Sequence, residues 1–251
     1  MEKEAVTRRK LYSLLSNLKS SPGDYLTLYI KPSFLPHYID ELSLQPEYRV
    51  YTDEIKGIVN NKAVIQEVER YDTGAAIFWQ EGGNKHVVLP PFPISENKAS
   101  IGKLDISLLY EILGRKYIIG VVLVTWGSYA IGIFDEHDNL VESKTGTGYI
   151  HKEHKKGGRS QKRFARRTEE QKKDFLRKVS NRVEEKFKSY TLDYIFFGGN
   201  RLIRKPLLKE CIYLKSETYK ISGRTLGLRY ANKQTLNHSL EEITSSLTFR
   251  F

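Results

Sequence analysis

The chain is organised around the run Lys155-Lys156-Gly157-Gly158-Arg159-Ser160-Gln161-Lys162-Arg163-Phe164-Ala165-Arg166-Arg167. Two adjacent glycines allow a backbone with positive φ or a close approach to another molecule. The run leads into a charged, helix-forming stretch that ends near Ser189. Exposed amides at the start of a helix bind anions, and the surrounding charge here is positive. The pattern therefore predicts a loop that meets nucleic-acid phosphate.

The basic charge of the chain is concentrated in residues 152–188. That segment holds 15 basic and 6 acidic residues, a net charge of +9, whereas the whole chain carries +11. A clustered basic stripe is the electrostatic signature of nucleic-acid binding, although a solvated helix face has a similar composition, and charge alone does not separate RNA from DNA. We expect RNA contacts from Lys155, Lys156, Arg159, Lys162, Arg163, Arg166 and Arg167.

The composition is that of a folded protein without a membrane span. The chain has 251 residues, of which 39% are hydrophobic, and it can hold one large domain or two small ones. No apolar run approaches the roughly 20 residues of a membrane helix, and the charged N-terminus lacks a signal-peptide core. A single cysteine, Cys211, excludes an intramolecular disulfide, and no Cys/His cluster has zinc spacing. We therefore expect a cytoplasmic protein with no metal or cofactor and a buried Cys211 thiol.

The first half of the chain shows one clear amphipathic helix and a hairpin. Leu11, Leu14, Leu15 and Leu18 repeat at helical spacing, and two β-rich runs flank a Gly-Gly turn. The predicted elements are a helix at 5–20, a strand at 25–30, a loop or short helix at 36–46, a helix at 53–70, a hairpin at 74–89 and an irregular seam at 90–104. Trp79 is expected in the core.

The second half alternates strands and helices, which favours an α/β layer architecture. In the long helix, apolar residues repeat from Phe175 to Phe187, so its second half should pack, whereas residues 160–173 have almost no apolar face. Phe164 is expected to anchor the loop, and Trp126 to lie in the core. The predicted elements are a helix at 104–113, strands at 117–125, 128–135 and 140–144, the long helix, a strand at 194–197, a helix or turn at 202–208, a strand at 212–214 and a helix at 232–247.

The glycine run resembles the catalytic loop in the central domain of archaeal and eukaryotic class-one translation release factors. Those factors carry a Gly-Gly-Gln loop, a serine, a basic-Phe-x-Arg segment and a long charged helix. This chain reads Gly157-Gly158-Arg159-Ser160-Gln161-Lys162-Arg163-Phe164-Ala165-Arg166. Strands before the loop, and a buried strand ending in glycines at 194–199, extend the resemblance over roughly residues 115–250.

The loop departs from the release-factor pattern at one position. Arg159 stands where the family's glutamine follows the two glycines, and a glutamine appears two residues later as Gln161. This arrangement resembles the Vms/Ankzf-type branch, the release-factor-like peptidyl-tRNA hydrolases of ribosome quality control. The resemblance implies Gly157, Gly158 and Gln161 as catalytic residues. Whether Arg159 or Gln161 takes the glutamine's role stays open.

The resemblance also implies a fold and an activity. The fold is α/β (α+β overall): an RNase H-like or ribosomal-protein-like mixed sheet with flanking helices, a protruding Gly-rich loop and a long basic helix. A smaller α/β N-terminal domain at 1–100 would precede the catalytic domain at 101–251, with the Gly-Gly-x-Ser-Gln loop at 146–164. The implied activity is hydrolysis of peptidyl-tRNA in the peptidyl-transferase centre of the large subunit, which frees the nascent peptide from stalled ribosomes. The implied partners are the ribosome and peptidyl-tRNA, and we expect a monomer.

Two alternatives use the same residues. The loop could direct cleavage of the tRNA near its 3′ end, which would leave a shortened tRNA. The chain could also be a non-catalytic ribosome- or RNA-binding protein, in which Arg159 marks lost chemistry.

Overall fold

The computed structural model describes residues 1–151 and 159–251, and for residue 36 and residues 159–162 it describes the backbone alone. The described chain divides into two compact units, residues 1–115 with 243–251 and residues 116–242. The sequence placed the domain boundary after residue 100, whereas the contacts place it after residue 115 and return the C-terminal segment to the first unit.

The first unit is built on a six-stranded antiparallel sheet with the order β1-β11-β4-β3-β2-β5. Helices α2, α3 and α4 cover one face through Ile39, Ile55 and Val64. Its elements are β1 (Glu2–Val6), α1 (Arg8–Ser20), β2 (Tyr25–Ile30), α2 (Leu35–Ser43), α3 (Pro46–Val59), α4 (Lys62–Tyr71), β3 (Ala75–Trp79), β4 (Lys85–Leu89), β5 (Lys98–Gly102), α5 (Ser107–Gly114) and β11 (Ser246–Arg250).

The structure corrects two predictions in the first unit. The single helix expected at 53–70 is two helices: α3 ends at Val59 with Asn60 as its C-cap, and the Asn61 side chain accepts a hydrogen bond from the Ala63 N–H at 2.9 Å, which caps α4. The seam expected at 90–104 contains β5, which pairs antiparallel with β2. The helix with Leu11, Leu15 and Leu18 buried, the first strand and the hairpin are confirmed, and Trp79 is buried.

The second unit holds a mixed five-stranded sheet with the order β10-β9-β6-β7-β8. Strands β10, β9 and β6 run parallel, whereas β6, β7 and β8 are antiparallel neighbours. Its elements are β6 (Ile119–Thr125), β7 (Ser128–Phe134), β8 (Leu140–Thr147), α6 (Arg159–Phe187), β9 (Tyr194–Gly199), α7 (Arg201–Glu210), α8 (Ile212–Ser216), a 3-10 turn (Thr218–Lys220), β10 (Ile221–Thr225) and α9 (Lys233–Ile243). This mixed sheet with flanking helices confirms the predicted fold class.

The two faces of this sheet carry different helices. The C-terminal half of α6 packs on one face, where Phe175, Val179 and Phe187 are buried in the core with strand residues. Glycines in the strands allow the helices to lie close to the sheet. A Cβ on Gly120 would lie 2.9 Å from the Phe187 ring of α6. On the other face, a Cβ on Gly132 would lie 2.9 Å from Leu236 of α9. The close approach of α6 to one face of the sheet therefore depends on a glycine in β6, and that of α9 to the other face depends on a glycine in β7.

Two predictions in the second unit were wrong. Residues 212–214 lie in helix α8, because a short apolar run does not by itself distinguish a strand from a buried helical turn. The last helix stops at Ile243, and the chain then forms β11 between β1 and β4 of the first unit. Cys211 is buried as expected, and burial raises the pKa of its thiol. No helix within residues 1–151 and 159–251 is both long and apolar enough to cross a membrane.

Candidate functional site

The structure divides the predicted site residues into three groups. Lys155, Lys156, Gly157 and Gly158 lie outside the described residues. Arg159, Gln161 and Lys162 form the first turn of α6, for which only the backbone is described. The side chains of Arg163, Arg166 and Arg167 are exposed on the next turns. The helix therefore begins within the predicted motif, immediately after the two glycines.

The chain that leads into the loop is attached closely to α6. The Gly148 N–H donates to the Gly127 carbonyl at 2.9 Å, and the Lys178 ammonium donates to the Thr147 carbonyl at 2.8 Å. A Cβ on Gly148 would lie only 2.6 Å from the Phe175 ring, so a glycine is required for this close packing. The end of β8 is thus held against the start of the buried half of α6.

A second set of contacts lies nearer the loop. The backbone N–H of His151 donates to Oε1 of Gln171 at 3.0 Å. The Tyr149 ring meets the His151 ring edge-on with centroids 4.8 Å apart, and the Tyr149 hydroxyl lies 3.3 Å from His151 Nδ1. Because Gln171 is about three turns from the start of α6, the described chain reaches the loop beside the exposed half of the helix.

An aromatic and basic cluster supports the same region. Trp126 packs against Phe175 with ring centroids 6.3 Å apart, and the Lys172 ammonium lies 5.5 Å above the Trp126 ring. Trp126 is only partly buried, so the expectation of a core position holds in part. Phe164 is 48% exposed. The prediction that it anchors the loop stays a prediction, because residues 152–158 lie outside the described residues.

The first half of α6 presents cations to solvent. Between residues 163 and 174 only Thr168 is buried. Arg166 Nε lies 3.4 Å from Glu170 Oε1, with both side chains more than 60% exposed. Arg163 and Arg167 form no ion pair with any described residue. An exposed ion pair contributes at most about 1 kcal/mol, so Arg166 is as available to an anionic partner as its neighbours are.

Sequence reasoning missed the residues that bind the segment before the loop. Gln171 and Lys178 were part of the charged helix and carried no signal that set them apart, yet each binds a backbone group of the segment before the loop. Among the described residues, no group of three or more His, Cys, Asp or Glu side chains could hold a metal ion. The described site therefore offers hydrogen-bonding groups and positive charge.

Comparison with known proteins identifies the second unit. The family model of the Actinobacteria/chloroflexi VLRF1 release factor matches residues 118–245. No curated protein matches the chain. Three solved structures show low similarity. An archaeal translation termination factor, aRF1, is 18% identical over 95% of this chain and 70% of its own, with a TM-score of 0.39. The Vms1 mitochondrial localization core is 13% identical over 73% and 80%, with a TM-score of 0.42. Archaeoglobus fulgidus Pelota is 8% identical over 96% and 63%, with a TM-score of 0.31.

The family match spans β6 to α9, the strands and helices that flank the loop in the sequence. It confirms the release-factor-like resemblance predicted from the glycine run. The chain belongs to the VLRF1 release factor family, and its role is a release-factor-like one in translation.

Proposed function

We propose that this protein is a ribosome-associated peptidyl-tRNA hydrolase that frees the nascent peptide from stalled ribosomes or large subunits. The reaction would take place in the peptidyl-transferase centre, with the loop containing Gly157 and Gly158 beside the ester of peptidyl-tRNA. On this proposal the protein acts in the cytoplasm as a monomer, with the ribosome and peptidyl-tRNA as its partners.

The observation that carries the proposal is the division of α6 into a buried and an exposed half. The helix has 29 residues, a length of about 40 Å, and its continuous series of buried side chains begins only at Phe175. About 20 Å of basic helix therefore precedes the core and leads to the two glycines. A narrow, cationic projection of this kind suits entry into a site built of RNA, where phosphate contacts supply most of the affinity.

The chemistry requires no titrating side chain. Water attacks the ester carbonyl carbon, a new C–O bond forms, and the bond to the tRNA ribose oxygen breaks. The peptide leaves with a carboxyl group, and the ribose oxygen takes up a proton. The neutral Gln161 amide can both donate and accept hydrogen bonds and so position the water. Backbone N–H groups of Gly157 and Gly158 would stabilise the charge that develops on the carbonyl oxygen.

The role of Gln161 rather than Arg159 follows from this chemistry. A guanidinium only donates hydrogen bonds and has no acceptor to orient a water proton. Arg159 is more suitable as a phosphate contact, together with Lys155, Lys156, Lys162, Arg163, Arg166 and Arg167. Both residues lie in the first turn of α6, where amide groups lack intrahelical partners.

The test is peptide release from stalled peptidyl-tRNA–large-subunit complexes. Wild-type protein, Gln161→Ala and Gly158→Ala are compared, with Gln66→Ala, an exposed glutamine of α4, as the matched control. The peptide and the tRNA 3′ end are resolved together. We expect release with intact tRNA by wild type and control, and a loss of about 100-fold or more in both loop variants, with ribosome binding retained.

Each alternative has its own result. A shortened tRNA would identify cleavage of the RNA rather than of the ester. Tight ribosome binding with no release by any variant would indicate a non-catalytic binding protein. Full release by Gln161→Ala would remove that glutamine from the mechanism.

A further inference from the structure

Two adjoining grooves lie in the second unit beside the strand that leads to the loop. The first, of about 350 Å³, is bounded by the end of β8 at Thr145, Gly146 and Thr147. The second, of about 610 Å³, runs along the segment between β10 and α9. Tyr230 and Asn232 line both grooves. They therefore adjoin at these two residues, and we call the pair the Tyr230 groove.

Tyr230 is presented on a backbone that is held at both ends. On one side the Leu226 N–H donates to the Phe197 carbonyl at 2.8 Å, and the Leu228 carbonyl accepts from the Gly199 N–H at 2.7 Å. On the other side Asn232 caps α9, where its side chain accepts from the Thr235 N–H at 2.8 Å. The Tyr230 side chain is nevertheless 69% exposed and has no hydrogen bond or ring contact with a described residue. The fold thus fixes the backbone of an aromatic residue whose ring it does not bury.

The charge of the groove is positive. No Asp or Glu lines it among the described residues, whereas Arg229 and Lys233 do. Lys233 donates to the Ser143 hydroxyl of β8 at 2.6 Å, and Arg229 forms no ion pair with a described residue. Two carboxylates lie near the walls: Glu242 accepts from the Gly227 N–H, and the exposed Glu241 lies 3.9 Å from His238. The lining itself therefore offers two cations to an anion beside a free aromatic face.

We propose that the Tyr230 groove binds a short single-stranded segment of RNA, with one base stacked on Tyr230 and the flanking phosphates at Arg229 and Lys233. Base stacking on aromatic side chains combined with a cationic groove is how proteins hold single strands. Thr145–Thr147 wall the groove, and Thr147 contacts α6 at Lys178, about 28 Å along the helix from its first residue. The bound strand would therefore lie beside the base of the helix that leads to the loop. This inference rests on the proposed function and adds a second RNA contact to it.

The experiment measures binding of 5′-fluorescein-labelled five-nucleotide RNAs to the full chain by anisotropy, at several salt concentrations. One RNA has the sequence of a tRNA 3′ end with a free hydroxyl, and the other has an unrelated sequence with a blocked 3′ end, so that an acceptor end and an internal rRNA strand are distinguished. The variants are Tyr230→Ala, Tyr230→Phe and Arg229→Gln. Tyr219→Ala is the matched control, since Tyr219 is 78% exposed in the same unit outside the groove.

We expect Tyr230→Ala to weaken binding of at least one RNA by about 10-fold and Tyr230→Phe to restore it, because stacking needs only the ring. Arg229→Gln should reduce the salt slope by about 0.7 for one lost phosphate contact. Wild-type affinity in Tyr230→Ala, or an equal loss in Tyr219→Ala, would overturn the proposal.

A protein-docking surface at the same place would give a different result. If Tyr230→Ala lowers ribosome association but not RNA binding, the groove docks on a protein surface, and the RNA proposal fails. Oligonucleotide binding is measured without turnover, so it is independent of the peptide-release assay. The groove proposal fails alone if Tyr230→Ala binds RNA normally while Gln161→Ala still abolishes release. The hydrolase proposal fails alone if no release occurs while Tyr230→Ala still weakens RNA binding.

Discussion

The backbone N–H of His151 and the side-chain amide oxygen of Gln171 lie 3.0 Å apart and form a hydrogen bond that spans 20 residues of sequence. The bond joins the last described residue before the loop to the exposed half of α6. Helix α6 itself begins at Arg159, on the other side of the loop. This single contact therefore limits how far the start of the loop can move from the helix that follows it.

We predict that Gln171→Ala slows peptide release more than it destabilises the fold. A hydrogen bond of this kind contributes about 1 kcal/mol to stability, but misplacing catalytic groups by about 1 Å can cost 100-fold in rate. We expect release to fall about 10-fold, with a change in melting temperature of a few degrees at most. The measurement is single-turnover release beside thermal denaturation, with Gln66→Ala as control. Equal rates for Gln171→Ala and wild type would show that this bond does not position the loop.

Gly148→Ala should destabilise the protein by about 1–3 kcal/mol. The added methyl group would lie 2.6 Å from the Phe175 ring, and overpacking of this size forces side chains out of their preferred positions. The matched control is Gly57→Ala in α3, where nothing lies within 4 Å of the new Cβ, and where alanine should stabilise the helix by up to about 1 kcal/mol. Urea denaturation measures both. Phe175→Leu should partly rescue Gly148→Ala, and a neutral effect of Gly148→Ala alone would contradict the packing argument.

The double variant Arg163→Gln, Arg167→Gln should weaken binding to large ribosomal subunits and flatten its salt dependence. Each lost phosphate contact lowers the slope of log K against log salt by about 0.7–0.9, so two contacts lower it by about 1.5. Arg9→Gln removes an exposed charge from α1 in the first unit and serves as the control. If the salt slope of the double variant equals that of wild type, these two cations face solvent in the complex.

Asp105→Asn should cost stability at neutral pH and much less in acid. Lys98 lies 2.8 Å from the Asp105 carboxylate, and the hydroxyl and N–H of Ser107 also donate to it, so these contacts lower the pKa of Asp105 to about 2. Because the folded pKa lies below the unfolded value of about 4, this stabilisation is present above pH 4 and is lost as the pH falls towards 2.

We expect Asp105→Asn to lower the free energy of unfolding by about 1 kcal/mol at pH 7, allowing for solvent screening of a partly exposed pair. Urea denaturation of wild type and Asp105→Asn between pH 7 and pH 2 checks it. A difference that stays constant over that range would mean that the Asp105 charge contributes nothing.

The spacing of apolar residues identified two kinds of element: strands that pair with a neighbour close in sequence, and helices with a long apolar repeat. Leu11 to Leu18 in α1 and Phe175 to Phe187 in α6 indicate a buried helix face, since only one face of a helix can meet a core. The edge strands β1, β5 and β10 and the inserted strand β11 were missed. Glu2–Val6 and Ser246–Arg250 become strands because they pair with each other across the whole chain, and β pairing depends on the neighbour more than on intrinsic propensity.

The candidate site divides in the same way. Three features could be recognised in the sequence: the glycine pair, the shifted glutamine at Gln161 and the clustered charge. Each lies in one short stretch of chain, and its chemistry depends only on which residue types are present. The residues that support them could not: Gln171, Lys178 and Tyr230 carry no local signal.

By itself, the sequence determined the release-factor-like motif, the position of the long basic helix and the mixed α/β class, since each depends on residue type and spacing along one stretch of chain. Only the tertiary structure decided which residues hold the start of the loop, where the N-terminal unit ends and which tyrosine is left exposed beside β8. Those outcomes depend on contacts between residues far apart in sequence, and such contacts form only when sheets and helices pack together.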